Sequence, residues 1–430
     1  MRAAIRARKV VVACVLGTSL EWYDFFLYGT AAALVFGPLF FPAADPATGT
    51  LLSFATFGVG FVARPIGAVL FGHFGDQVGR RNVLGVTLLV MGLATFLIGL
   101  LPTYATMGLA APILLGVLRF AQGISLGGQW GGAVLMLTEH GPADRRGLYA
   151  SLAQAGVPAG NLLSAALFGA AGLLPGDAFL TWGWRLPFLL SGLLALVGVW
   201  VLTDVAESPL FAAVPDRARR PLVEVLVTHP RALISAFCAR VGVDVAYYVF
   251  TLYVLSYLAD MPGSPTGVAL NALLVASAVQ LALIPLFGSL SDRFGRRRVY
   301  LAGVAAAALW IFAFFPLLDT AATLAIMLAV IVALIAHAAM YGPQAAFIAE
   351  RFSTRLRYSG ASLGYQAAGV VGGGLAPIIS IFLLDLSGTT TVISLYVLLA
   401  LAVSAAGLAL APRPAPWTVA AASVPIAAGP

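Results

Sequence analysis

Six charged side chains stand inside stretches of sequence that are otherwise apolar: Glu21, Asp24, Arg64, Arg119, Arg240 and Asp244. A charge at the centre of a membrane helix costs about 2.5–3.5 kcal/mol on insertion scales. Such residues are retained for pairing, for exchanging a proton or for holding a charged ligand. Glu21 and Asp24 are three positions apart and project from one helix face. Arg64 and Arg119 are cations that can neutralise them. Arg240 and Asp244, four apart, can pair with each other. A purely structural role as helix staples also fits each set, and Glu139, near the end of its apolar run, reads as structural.

Polar and aromatic residues share faces with these charges. Arg119, Gln122 and Gln129 occupy a broad sector of one helix, and Gln154 aligns with Asn161. Tyr247 and Tyr248 follow Asp244 by one turn, His337, Tyr341 and Gln344 recur at helical spacing, and Tyr365 adjoins Gln366. Interhelical hydrogen bonding explains any one of them; together they describe the lining of a polar cavity. His73, His140 and His229 fall in expected loops, so His337 is the one embedded histidine and no metal is expected. Cys14 and Cys238 sit in apolar stretches without metal or disulfide spacing. The glycines from Gly369 to Gly374 follow no strand and no phosphate-loop lysine, which points to helix packing. No catalytic constellation or ATPase signature is visible, so neither an enzyme nor a cofactor is expected.

The elements that position these residues must be membrane helices. Of 430 residues, 61% are hydrophobic and 10% charged, and mean hydropathy is +0.98. Soluble chains carry roughly 25% charged residues, so a water-soluble enzyme is excluded. The continuous apolar runs also lack the alternation of a transmembrane barrel. Twelve spans are predicted at 10–36, 51–73, 83–101, 109–137, 148–174, 184–203, 232–258, 267–289, 299–318, 322–346, 360–384 and 391–411. The basic start resembles a signal peptide, but Glu21 and Asp24 interrupt the apolar run, which reads as an uncleaved first span. A net charge of +7 would suggest nucleic acid in a soluble protein. Here 20 of the 24 cations fall in the termini and the loops on one side of this layout. Positive loops stay in the cytoplasm, which places both termini there.

The chain repeats itself. Gly72-His-Phe-Gly-Asp76-Gln-Val-Gly79-Arg80-Arg81 recurs as Gly288-Ser-Leu-Ser-Asp292-Arg-Phe-Gly295-Arg296-Arg297, 216 residues later. Glu139 and Arg146 recur as Glu350 and Arg357 at an offset of 211. Two related six-helix bundles are expected, at 1–203 and 232–411, with a cytoplasmic linker at 204–231 and a tail at 412–430. The linker should carry an amphipathic helix around Leu222 to Val227. In the duplicated loops glycine permits tight turns, and Asp76 and Asp292 can hold a helix N-terminus or a neighbouring arginine. Contacts of that kind form in one arrangement of helices and break in another, as a gate requires.

The duplicated loops and twelve-span layout resemble the major facilitator superfamily. More narrowly, Glu21-Trp-Tyr-Asp-Phe25, Phe61-Val-Ala-Arg64-Pro65, Gly183-Trp-Arg185-Leu-Pro-Phe188, Glu207-Ser-Pro209 and Arg357-Tyr-Ser-Gly-Ala-Ser-Leu-Gly-Tyr-Gln366 resemble its metabolite:proton symporters. Segments 50–72 and 111–132 look closest to shikimate-type members. The resemblance implies an all-α inner-membrane importer, monomeric, that moves a small organic acid or zwitterion with protons: shikimate, a dicarboxylate, betaine or proline. Binding is expected near the midplane between the halves. Arg64 and Arg119 are expected to attract a carboxylate, with Gln122, Gln129, Gln154, Tyr247 and Tyr365 in the pocket. Asp24 is the leading proton carrier, followed by Glu21 and Asp244. One departure stands out: Gly127-Gly128-Gln129-Trp130 has Gln where the family has Glu. That substitution favours an uncoupled facilitator or an efflux transporter as the alternative. A non-transporting membrane sensor is the alternative of another class.

Overall fold

Lipid offers no hydrogen-bond partner to a backbone, so each apolar run satisfies its N–H and C=O groups internally as a helix. The computed structural model describes residues 2–415 and 417, apart from 176, 215, 216, 260 and 266, with side chains from residue 8 onward except at 46, 47 and 50. Residues 418–430 of the expected tail lie outside the described residues. Among the described residues, twelve helices are long and apolar enough to cross a membrane. They are α1 (Arg8–Leu34), α2 (Leu51–Gln77), α3 (Arg80–Leu100), α4 (Ala110–His140), α5 (Arg146–Gly172) and α6 (Phe179–Asp204), then α7 (Pro230–Ala259), α8 (Val268–Phe294), α9 (Arg296–Asp319), α10 (Thr323–Ala349), α11 (Arg357–Ser387) and α12 (Thr390–Leu410).

Several helices outrun their apolar windows at the arginine-rich end. α2 continues to Gln77 and α8 to Phe294, while α3 and α9 start at Arg80 and Arg296. Polar residues there sit beyond the hydrocarbon, where the helix continues without lipid contact, and hydropathy does not see that last turn. Asp76, Asp292 and His73 are therefore helical rather than in loops, and His140 closes α4. Only Val78 and Gly79 separate α2 from α3, and only Gly295 separates α8 from α9. The linker helix forms at Pro221–Thr228.

α1 to α6 make one six-helix bundle and α7 to α12 the other; α2 packs on α11 and α5 on α8 across the boundary between them. The spacing of small residues sets how closely helices approach within each half. Gly123 and Gly127 of α4 face Gly60 and Gly67 of α2, and a Cβ on Gly67 would overlap the Ile124 carbonyl oxygen. Small residues four apart let membrane helices meet backbone to backbone. The Gly-Trp-Arg segment at the start of α6 ties that helix to its neighbours. Arg185 Nη1 donates to the carbonyls of Gly99 (2.8 Å) and Leu101 (2.6 Å) at the end of α3, and Tyr23 donates to Pro187 O (2.6 Å).

Gly67→Ala should force α2 and α4 apart and destabilise the protein by roughly 1–3 kcal/mol, the usual cost of overpacking. Thermal unfolding of the purified protein in detergent should show a lower midpoint than wild type. Gly169→Ala, where a Cβ would meet open space, should leave the midpoint unchanged.

Candidate functional site

The two halves are joined at the arginine-rich end by a reciprocal brace. The first N–H groups of any helix lack intrahelical partners, and a negative charge is favoured beside them. Asp76, in the last turn of α2, accepts from the N–H groups of Tyr358 (3.2 Å) and Ser359 (2.9 Å) in the first turn of α11. Asp292, in the last turns of α8, accepts from Gly147 (2.8 Å) and Leu148 (2.9 Å) in the first turn of α5. Each half thus holds a helix of the other. Arg80 lies 3.4 Å from Asp76 and Arg296 lies 2.6 Å from Asp292. Gly79 (φ 126°) and Gly295 (φ 94°) supply the left-handed turns that bring the two helices so close together.

Glu139 is the hub of this end. Its carboxylate is 3.6 Å from Arg80 Nε and 3.4 Å from Arg357 Nη1, one cation from each half, and it accepts from Ser208 Oγ. Arg296 also meets Glu350, 3.2 Å away, so the second marker pair is engaged in a related manner. Glu207 accepts from the Arg81 N–H (3.3 and 3.2 Å) and covers the α2–α3 turn. Arg81 and Arg297 point away from the brace: Arg81 binds Asn82 and Arg297 is exposed. Gly72 accepts from Ser359 Oγ (2.9 Å), and a Cβ on Gly288 would overlap Ser151 Oγ, so both stand where the halves touch.

Above this closed end lies a cavity between the halves. Trp22, Val157 and Pro158 line it from one side; Arg240, Asp244, Tyr247, Tyr248, Gln280, Ile284, His337 and Tyr341 line it from the other. Its free space of about 20 Å³ admits about one water molecule. Arg240 Nε donates to Asp244 Oδ2 at 2.6 Å, and the guanidinium rests 3.1 Å from the Tyr365 ring centre. Arg240 Nη1 is buried with no hydrogen-bond partner among the described residues. Gln280 Nε2 donates to Leu334 O (3.0 Å) and stands 2.9 Å from His337 Nδ1. Nδ1 is then the acceptor, which leaves Nε2 as the protonated ring nitrogen of a neutral His337. His337 in turn stacks on Tyr341 and lies against Tyr247. A guanidinium, several hydroxyl and amide groups and five aromatic rings converge on one small space.

The residues expected from sequence distribute over three places. Asp244 and Tyr247 line the cavity. Arg64, Gln154 and Tyr365 stand behind its wall: Arg64 Nε donates to Gln366 Oε1 (3.1 Å), Gln154 accepts from Trp130 Nε1 (2.8 Å), and Trp130 stacks on Tyr365 at 3.6 Å. Glu21 is buried within charge-interaction range of Arg64. Asp24, Gln122 and Arg119 form a separate network inside the first half. Asp24 accepts from Thr95 Oγ1 (2.8 Å) and from Ser191 Oγ; Gln122 Nε2 donates to Thr95 (2.6 Å) and Arg119 Nη1 to Gln122 (3.2 Å). The Arg119 guanidinium also faces the rings of Tyr28 (4.4 Å) and Phe57 (4.7 Å). Phe25 and Phe61 pack between this network and Tyr248 on the cavity wall. Gln129 is buried with neither amide atom partnered among the described residues.

Sequence reasoning named Arg240 only as half of an ion pair, and it gave no site role to Trp22 or Gln280, although it placed His337 among the residues of a polar cavity. Gln280, a single amide in an apolar run, and Trp22, between two buried acids, were the available signals. Their convergence depends on which faces of α1, α8 and α10 meet, which no single helix records.

If the two aspartates hold the gate, removing their charge loosens it. In Asp76→Asn or Asp292→Asn the closed state should weaken by roughly 1.4 kcal/mol, a tenfold change in population. A cysteine placed at Ile284 should then react about tenfold faster with an impermeant thiol reagent added from the arginine-rich side. An unchanged rate would remove these carboxylates from the gate.

Comparison with known proteins places this geometry. The profile described as "Sugar (and other) transporter" matches residues 9–222, and "Major Facilitator Superfamily" matches residues 232–426. The Shikimate transporter of Escherichia coli (strain K12) is 41% identical over 408 residues, covering 93% of each chain. The Inner membrane metabolite transport protein YhjE of the same organism is 40% identical, over 87% of each. The Proline/betaine transporter of Salmonella typhimurium is 33% identical over 89% of this chain and 79% of its own. Among solved structures, the proton:xylose symporter XylE bound to 6-bromo-6-deoxy-D-glucose shares the fold with a TM-score of 0.75 at 16% identity, covering 95% of this chain and 97% of its own. The chain belongs to the major facilitator superfamily, among its metabolite transporters: it is a multi-pass membrane protein and a secondary active transporter of a small metabolite.

Proposed function

We propose that the protein imports a small carboxylate-bearing metabolite together with protons by alternating access, without converting it chemically. A compact cyclic hydroxy acid of the shikimate type is the first candidate cargo. The observation that carries this reading is Arg240, a buried guanidinium that lines the cavity, paired on one edge with Asp244 and with Nη1 unpartnered among the described residues. An unsatisfied buried donor costs about 1–3 kcal/mol, and a cargo carboxylate is the group that would satisfy it. The Shikimate transporter's 41% identity over almost the whole chain supports the same cargo class. Binding between the two repeated halves is the site expected of this architecture.

Asp244 is the proton carrier best placed for coupling, because it shares Arg240 with the incoming carboxylate and is released when that carboxylate binds. Asp24 and Glu21 remain carriers that act from behind the wall, with Arg64 and Arg119 supplying positive potential rather than direct contact. The arginine-rich face, with 20 of the 24 cations, is the cytoplasmic face by the positive-inside rule. Both termini then lie in the cytoplasm, in an inner membrane, with the monomer as the working unit. A second reading, uncoupled facilitation or efflux, draws on Gln129, a neutral buried amide with no partner.

Right-side-out vesicles carrying an inward proton gradient should accumulate radiolabelled shikimate, and an uncoupler should abolish accumulation. Accumulation that is the same with and without the uncoupler would overturn coupling. Uptake of labelled betaine in place of shikimate would shift the cargo to a zwitterion. Arg240→Ala should lower uptake at least a hundredfold, whereas Gln122→Ala should change it less than threefold, in line with roughly 3 kcal/mol for a buried charged pair. Asp244→Asn should retain counterflow exchange while losing accumulation against a gradient.

A further inference from the structure

Arg240 does not hold its orientation alone. Its guanidinium lies on one face of the Tyr365 ring, 3.1 Å from the ring centre, and the other face of that ring lies on Trp130, 3.6 Å away and 11° from parallel. Arg240 and Tyr365 belong to the second half, on α7 and α11; Trp130 belongs to the first, on α4. Trp130 is pinned in its own half by the bond from Nε1 to Gln154 Oε1 (2.8 Å), and Tyr365 in its half by the hydroxyl of Tyr341 (3.1 Å). The stack therefore crosses the boundary between the halves, and its far end is the guanidinium that faces the cavity.

The same stretch of α4 and α11 is also where the halves separate if the arginine-rich end opens. Tyr358 donates to Gly128 O (2.7 Å) and Gln366 Nε2 donates to Leu126 O (3.1 Å), so further bonds join these two helices close to the Trp130–Tyr365 contact. Rocking the halves apart at that end breaks all of them together. Tyr365 then loses its backing, and Arg240 loses the platform that fixes the plane of its donors. A planar guanidinium binds a carboxylate through geometry as much as charge, so a free-swinging Arg240 holds an oxyanion less well.

We propose that Trp130 and Tyr365 are positioning residues that make carboxylate binding at Arg240 conditional on closure of the arginine-rich gate. The cargo site is then tight while that gate is shut and loosens as it opens, and by linkage a bound carboxylate strengthens the closure. A transporter with this asymmetry takes up its cargo at low concentration on one side and releases it on the other. The inference rests on the reading of Arg240 as the carboxylate anchor, but the stack itself is tested without any cargo.

Two measurements on the full-length protein decide it. In the first, the native Cys14 and Cys238 are replaced by serine, Ile284→Cys is introduced, and its reaction with an impermeant thiol reagent is timed from the arginine-rich side. Trp130→Leu should speed the reaction about tenfold, the size of effect expected for one lost aromatic stack, and Trp130→Phe should stay near the parent. In the second, uptake of labelled shikimate is measured in right-side-out vesicles. Trp130→Leu should raise KM about tenfold with kcat within about twofold, and Trp130→Phe should restore most of the affinity. An unchanged labelling rate in Trp130→Leu, a Phe variant as defective as Leu, or a kcat loss at constant KM overturns the proposal. If the parent transports no carboxylate while Trp130→Leu still opens the gate, the anchor reading fails and the stack survives as a latch alone.

Discussion

A carboxylate at the end of one helix holding the bare N–H groups at the start of another is the contact on which this molecule turns. It occurs twice, with Asp76 on α11 and Asp292 on α5, and each time it reaches from one half to the other. The contact is directional and strong when aligned, and it is lost on a small separation. That combination gives a rigid closed end without welding it. The arginines at 80 and 296 neutralise the carboxylates, and Glu139 gathers one cation from each half behind the first brace.

The polar residues inside the bundle divide into groups with different exposure to the boundary. Asp24, Thr95, Gln122 and Arg119 bond to one another within the first half, with Arg119 Nε left without a hydrogen bond among the described residues, and are walled from the cavity by aromatic rings. Arg240 and Asp244 face the cavity and leave a donor open. The first group can keep its charges through a rocking motion, because no member depends on the other half. The second sits beside a stack that does depend on it. Where a charge lies relative to the moving boundary therefore matters more than how deeply it is buried.

Much of the fold was legible in the chain itself. Hydropathy located twelve spans, the side of the arginines ordered their loops, and the 216-residue offset announced the two halves. These signals are local or periodic: a helix must hide its backbone from lipid whatever its neighbours do, and a duplicated motif remains visible however the copies are arranged. The Arg240–Asp244 pair was legible for the same reason, since residues four apart on one helix meet without help from anything else. The ends of α2 and α8 were placed too early because their last turns are polar, and a hydropathy window stops where the helix leaves the hydrocarbon.

Which buried charge faces the cavity was decided only by tertiary packing. Arg64, Arg119 and Arg240 are alike as sequence, each one arginine in an apolar run, yet one binds Gln366 across the boundary, one is enclosed with Gln122, and one opens onto the cavity. Helical periodicity assigns a residue to a face but leaves open what that face meets. The rotation of each helix about its axis comes from the summed packing of all its neighbours, down to backbone contacts such as Gly67 against Ile124. The chain alone determined a pair of membrane bundles carrying internal charge. The assembled bundles determined that the guanidinium lining the cavity is Arg240, because that depends on how helices from both halves meet around it.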